Sequence, residues 1–197
     1  MRQQLKDGCK EWFKDVLEAI PSGWIAGGCV RDYFARMETD SDIDVFFPSA
    51  EALADGIRGI EQANNAKRIY DREHVVGYLL NRRHVQLIKQ HFFPSAQDTI
   101  AQFDFTVCCA TLTPSGDIFH HEHFFEDLAG RRLAINALPF PLSTLERIQK
   151  YAAKGFHACN GTLTELARAI QQLDMANPSQ NQLQFYPNGS VRFARFD

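Results

Sequence analysis

Hydrophobic and polar residues at the start of the chain alternate with a helical period. Leu5, Cys9, Trp12, Phe13, Val16, Leu17 and Ile20 recur at i, i+3, i+4 and i+7, which predicts an amphipathic helix over residues 3 to 20, ended by Pro21-Ser22-Gly23. A short apolar strand follows (Trp24, Ile25, Ala26), then a glycine pair (Gly27, Gly28), a helix-forming run from Cys29 to Arg36, a polar loop, and a strand from Asp42 to Phe47. Pro48-Ser49 opens another helix with Leu53, Ile57 and Ile60 inward, weakened by Gly56 and Gly59. The period then shortens to two. Lys67 to Tyr70, His74 to Leu80 and His84 to Lys89 read as strands, the last two joined as a hairpin at Asn81-Arg82-Arg83. Asp98 to Phe103 reads as a short helix, and Phe105 to Leu112 as a buried strand that turns at Pro114-Ser115-Gly116 into Asp117 to His120. Two capping boxes, Ser143 with Glu146 and Thr162 with Glu165, start helices at about 144 and 163. Gln182 to Phe196 reads as a terminal hairpin around Pro187-Asn188-Gly189-Ser190. The expected fold class is α/β (α+β), a mixed sheet with helices packed beside it rather than a doubly wound one.

Composition narrows this picture. At 197 residues, 45% of them hydrophobic and 16 of them Phe, the chain suits one cored domain, or one with a small appendage. The net charge is −3 and no long basic run occurs, whereas a protein gripping a long nucleic acid by its phosphates is usually basic. An RNA partner would therefore be held locally. Lys6, Asp7, Lys10, Glu11, Lys14, Asp15 and Glu18 interrupt any signal-peptide-like run, and no stretch is long enough to span a membrane. Cys9, Cys29, Cys108, Cys109 and Cys159 are odd in number and lack metal-site spacing, which points to reduced thiols and a cytoplasmic setting.

The candidate chemistry lies in residues 24 to 47. Side chains alternate faces along a strand, so Asp42 and Asp44 project together while Ile43 and Val45 face the other way. Two neighbouring carboxylates repel unless a cation lies between them or one is protonated. Mg²⁺ is the natural partner, because it is usually held by one or two carboxylates plus substrate phosphates. Gly27 and Gly28 supply the phosphate side, since backbone without Cβ can approach a triphosphate next to the N-terminus of a helix. Either motif alone more often marks a turn or a solvated edge; their order and spacing make a metal and nucleotide site.

These residues also carry a resemblance. Gly27-Gly28-Cys29-Val30-Arg31-Asp32 followed by Asp42-Ile43-Asp44 resembles the GGxVRD and DxD motifs of the head domain shared by bacterial poly(A) polymerases and tRNA CCA-adding enzymes, in the polymerase β nucleotidyltransferase superfamily. Glu126-Asp127-Leu128 with Arg131, Arg132 and Leu133 is similar to its EDL segment, and residues 145 to 156 to its LR helix. The resemblance covers Trp24 to Phe156. It implies a head domain over 1–140, with 141–197 as a short helical neck and terminal hairpin packed on it, and no room for the tRNA-binding body and tail. It further implies transfer of a nucleoside monophosphate from an NTP to an acceptor hydroxyl with loss of pyrophosphate, using two Mg²⁺ ions, with Mn²⁺ as an alternative. An RNA or tRNA 3′ end is the favoured acceptor. A small molecule, a protein side chain, or a catalytically silent nucleotide-binding module are the alternatives.

Implied site residues follow from the same motifs. Asp42, Asp44 and Asp104 are the catalytic and metal-binding carboxylates. Gly27, Gly28, Arg31, Arg131, Arg147 and Lys150, with Arg132, are candidates for the triphosphate, although Arg31 could equally pair with Asp32 or Asp40 as scaffold. A third acid is expected on a neighbouring strand. One aligned position carries the neutral Gln86; the other, Asp104, would complete the metal site, hold the ribose, or merely cap a turn. Two departures matter. The paired arginines before that aspartate are Gln102 and Phe103, and the base-reading Glu-Asp-x-x-Arg set falls on Phe140, Pro141 and Thr144, none of which makes charge-assisted base contacts. The run His120-His121-Glu122-His123 invites a zinc reading, but adjacent residues of a strand face opposite ways and cysteine partners are lacking.

Overall fold

The computed structural model describes residues 2–37, 41–174, 183–185 and 191–193. In chain order the elements are α1 (Arg2–Trp12), α2 (Lys14–Ala19), β1 (Trp24–Ala26), α3 (Gly28–Ala35), β2 (Ile43–Phe47), α4 (Ala50–Gln62), β3 (Ala66–Asp71), β4 (Val75–Leu80), β5 (Arg83–Phe92), α5 (Ala96–Ile100), β6 (Ala110–Leu112), β7 (Ile118–His120), α6 (Phe124–Ala129), α7 (Pro141–Ala153), α8 (Asn160–Gln171), β8 (Leu183–Phe185) and β9 (Val191–Phe193). Seven strands form one mixed sheet in the order β3-β4-β5-β2-β1-β6-β7; β2 and β5 run parallel and the other neighbours antiparallel. The fold is thus mixed α+β, as the pattern of the sequence predicts. Among the described residues no helix is long and apolar enough to cross a membrane.

The chain divides into two compact units, Met1–Ala101 with Cys108–Phe124, and Gln102–Val107 with Phe125–Asp197. The first holds the whole seven-stranded sheet. In it α3 packs on β1, β2 and β6, and α4 on β2, β3, β5 and α2. Cys9, Phe13, Val16, Leu17 and Ile20 of the predicted stripe are buried, but Trp12 is 53% exposed. The helix expected over 3–20 is interrupted at Phe13, because Arg83 Nη1 donates to the Trp12 carbonyl at 2.7 Å and also pairs with Asp15. Gly59, read as weakening α4, is instead a packing requirement: a Cβ there would lie 1.9 Å from the Ala19 carbonyl oxygen.

Register aligns one row of residues across the sheet: Tyr70, Gly77, Gln86, Asp44, Ala26, Thr111 and Phe119 on β3, β4, β5, β2, β1, β6 and β7. Residues directly opposite one another share a face. Gly77 has no side chain because the Tyr70 ring occupies that space, 2.2 Å from where a Cβ would stand.

The second unit contains α7 and α8, packed on each other. Neither starts at its predicted capping box. Proline at the first position begins α7 at Pro141, and the Thr144 hydroxyl donates to the Phe140 carbonyl at 3.1 Å; α8 begins at Asn160, and the Thr162 hydroxyl donates to the Leu133 carbonyl at 2.7 Å. The strand expected over 105–112 is a 3-10 turn at Thr106–Cys108 followed by β6. Tertiary bonds explain the turn: Thr106 N donates to the Ala134 carbonyl and its hydroxyl to Asp127, at 2.6 Å. The terminal strands β8 and β9 pair antiparallel, and their predicted turn lies outside the described residues.

Candidate active site

The site grows from the junction of β1 and α3. Ala26 lies opposite Asp44, so the chain leaves the sheet at Gly27, next to the start of β2. Gly27 has φ 85° and ψ −136°, a conformation that residues with a Cβ rarely adopt. Its N–H donates to the Ala110 carbonyl at 3.0 Å and so serves the sheet. The first bond of α3 runs from Arg31 N to Gly27 O, which leaves the N–H groups of Gly28 and Cys29 at the helix N-terminus ahead of the helical ladder. A Cβ on Gly28 would meet nothing nearer than Ser41 Oγ at 3.4 Å and Arg31 Nη2 at 3.5 Å. The interior of the fold therefore does not demand glycine there, and its absent side chain leaves open backbone for an anion.

Asp42 and Asp44 stand two residues apart at the start of β2. One Asp42 oxygen is 2.5 Å from His84 Nδ1, and the other accepts from Gln86 Nε2 at 2.7 Å. His84 Nε2 lies 3.2 Å from the Tyr70 hydroxyl, and Arg72 covers the Tyr70 ring at 4.5 Å. A chain of contacts thus runs from Asp42 through His84 to the aromatic edge of the sheet. Asp44 lies beside Cys29, whose thiol is pushed well above the ordinary range by burial first and by the Asp44 charge second.

These residues fit a divalent cation. Gln86 is 4% exposed, and its Oε1 is a buried acceptor with no hydrogen-bond donor among the described residues. Leaving such an atom unsatisfied costs about 1–3 kcal/mol. Among the described residues no group of three His, Cys, Asp or Glu side chains could hold a metal. A cation at this point would rest on two carboxylates and would take its other oxygens from phosphate, water or amide, which is the habit of Mg²⁺.

Arg31 turns away from this duty. It is 1% exposed, its Nε donates to Asp32 Oδ1 at 2.7 Å, its Nη1 reaches Cys108 Sγ at 3.5 Å, and Ser41 Oγ donates to Asp32 Oδ2 at 2.6 Å. The scaffold alternative is the one that the geometry shows; Asp40, its other candidate partner, lies outside the described residues.

The remaining sequence-predicted residues belong to the second unit. Asp104, 5% exposed, accepts from Arg147 Nη1 at 2.9 Å, the Thr144 hydroxyl at 3.3 Å and the Phe105 N–H at 3.0 Å, bonds that account for its burial. Arg131 donates to the Lys154 carbonyl at the end of α7 and covers the Phe156 ring. Arg132 pairs with Glu126 and Asp127. Arg31, Arg131, Arg132 and Arg147 thus all have protein partners, and Lys150 is exposed on α7. In the His120 run, His121 Nδ1 accepts from the His123 backbone N–H and the His121 carbonyl meets His120, a local turn.

His84 and Tyr70 are the site residues that sequence reasoning missed. Their signal was available in part: His84 precedes Gln86 by two on one strand face. Only the parallel pairing of β2 with β5 shows that this face meets Asp42.

A glycine turn running into a helix, a following strand bearing two carboxylates, and a mixed sheet flanked by helices make up a nucleotidyltransferase-like fold. The chain belongs to the Gabija anti-defense 2 family, whose family model matches residues 1–131. It is 28% identical over 147 residues to Gabija anti-defense 2 of Bacillus phage SPbetaL7, covering 73% of this chain and 36% of that protein. Among solved structures it is similar to a CCA-adding enzyme in complex with CTP (TM-score 0.64, 15% identity, 86% of this chain and 46% of that one). It is also similar to the Thermotoga maritima CCA-adding enzyme complexed with tRNA (TM-score 0.61, 14% identity, 86% and 45%) and to an apo tRNA-processing enzyme (TM-score 0.62, 15% identity, 89% and 50%). At these identities the likeness is one of fold. The chain spans about a third of the phage relative and about half of each solved neighbour.

Proposed function

We propose that this protein is a divalent-cation-dependent nucleotidyltransferase that moves a nucleoside monophosphate from an NTP to an acceptor hydroxyl and releases pyrophosphate. The observation that carries the reading is the register of Ala26 against Asp44, which sets the glycine turn and the helix N-terminus beside the paired carboxylates. Asp42 and Asp44 would hold the ions, Mg²⁺ or Mn²⁺. When bound, such ions lower the pKa of an attacking hydroxyl and neutralise the β- and γ-phosphates. Asp42 is kept in place by His84 and Gln86, and Gly28 lets the backbone of α3 approach the triphosphate. The acceptor hydroxyl gives its proton to water, its oxygen forms a bond to the α-phosphorus as the bond to the bridging oxygen breaks, and pyrophosphate leaves with the electron pair of that bond.

An RNA 3′ end, tRNA included, is the acceptor we favour, because solved neighbours of the same fold are CCA-adding enzymes, one of them bound to tRNA. A small molecule or a protein side chain is the alternative acceptor, and the family's name directs that search to components of the Gabija defence system. Incubation with each α-³²P-NTP and Mg²⁺, with total tRNA in one arm and cell extract in another, locates the label. Wild-type protein is expected to transfer it, and Asp42→Ala with Asp44→Ala, folded by circular dichroism, to transfer none. Turnover retained in that double variant would falsify the proposal. A second reading, a silent nucleotide-binding module, draws support from Gln86 in place of an acid; NTP binding that is indifferent to Mg²⁺ and never followed by label transfer would select it.

A further inference from the structure

We infer that Gln86 is itself a ligand of the divalent cation, its amide oxygen supplying a neutral third oxygen beside Asp42 and Asp44. The inference rests on the proposed nucleotidyltransferase site and deepens it. Gln86 is buried, stands opposite Asp44 in the strand register, and donates through Nε2 to Asp42 Oδ2 at 2.7 Å. That bond fixes the amide: with its N–H₂ end on a carboxylate, its oxygen end is the acceptor that remains. Oε1 is buried and has no donor among the described residues.

The neighbouring strand does not supply one. Gly77 stands opposite Gln86 on β4 with no side chain, and the Tyr70 ring that covers it has its hydroxyl at His84. A buried acceptor next to two carboxylates is a group that a cation satisfies and that another acidic side chain would not. Glutamine carbonyls serve as hard-cation ligands in other settings, so the chemistry is ordinary. The charge is informative too. Two carboxylates balance one divalent ion, whereas a third would exceed its charge and add further repulsion to that of the pair whenever the ion departs. Gln86 keeps the ligand count and removes that repulsion, so the ion is held more loosely than three acids would hold it.

The intact protein with a nonhydrolysable NTP analogue tests this. Tb³⁺ luminescence lifetimes in H₂O and D₂O count the waters on the bound ion, and Mn²⁺ titration followed by electron paramagnetic resonance gives affinity. Gln86→Met is expected to add one water to the ion and to weaken Mn²⁺ binding roughly tenfold or more. Gln86→Glu is expected to tighten Mn²⁺ binding while keeping the wild-type hydration number. If ion binding depends on Asp42 and Asp44 but neither hydration number nor affinity changes in Gln86→Met, Oε1 faces an ordered water only and this inference alone is overturned. If no ion binding depends on Asp42 and Asp44, the functional reading itself is overturned.

Discussion

Gly27 and Gly28 are adjacent and chemically identical, yet the structure gives them different duties. Gly27 holds a positive φ that a Cβ resists, so Gly27→Ala is predicted to lower stability by about 1–3 kcal/mol in urea unfolding. Gly28 has no such constraint, and its nearest neighbours stand at ordinary contact distance from a Cβ. Gly28→Ala is therefore predicted to leave the unfolding midpoint nearly unchanged while weakening NTP binding in calorimetry. Equal loss of stability in both variants would mean that Gly28 is a turn residue and nothing more. At this scale the sequence was informative wherever the signal is local: the glycine pair and the alternation of Asp42 with Asp44 need no tertiary knowledge. The pairing of Arg31 with Asp32 was one of the readings open in the sequence, whereas His84 and Tyr70 were less legible, because their partners are set by strand pairing.

Elements were legible by period and misread at their ends. Strands β3, β4 and β5 lie where alternation puts them, and the hairpin between β4 and β5 turns through Asn81 and Arg82, both at positive φ, as a two-residue connection of the right twist requires. The two capping boxes failed for different reasons: proline begins α7 at Pro141, ahead of Ser143, and a tertiary acceptor, the Leu133 carbonyl, took the Thr162 hydroxyl. Gly59 shows the same limit from the other side. Helix propensity favours Ala over Gly by about 1 kcal/mol, but a Cβ 1.9 Å from a backbone carbonyl forces α4 away from α2. Gly59→Ala is thus predicted to destabilise, by about 1–3 kcal/mol as overpacking does, and a raised melting temperature would contradict that packing.

For the whole molecule, the sequence indicated the fold class, and the first compact unit carries every strand of the large sheet together with Gly27, Gly28, Asp42 and Asp44. The second unit holds Asp104, Arg131, Arg147 and Lys150, whose motifs the sequence also showed but whose partners within that unit it did not. The net charge of −3 remains a constraint on any RNA partner, which must be gripped locally rather than by a basic surface. The account as a whole turns on a cation between residues 42 and 44, and the most direct measurement is anomalous diffraction from crystals grown with Mn²⁺ and a nonhydrolysable NTP. The predicted result is a manganese peak within about 2–2.5 Å of carboxylate oxygens of both Asp42 and Asp44, with the triphosphate against Gly28. A nucleotide bound elsewhere, or manganese remote from that pair, would contradict it.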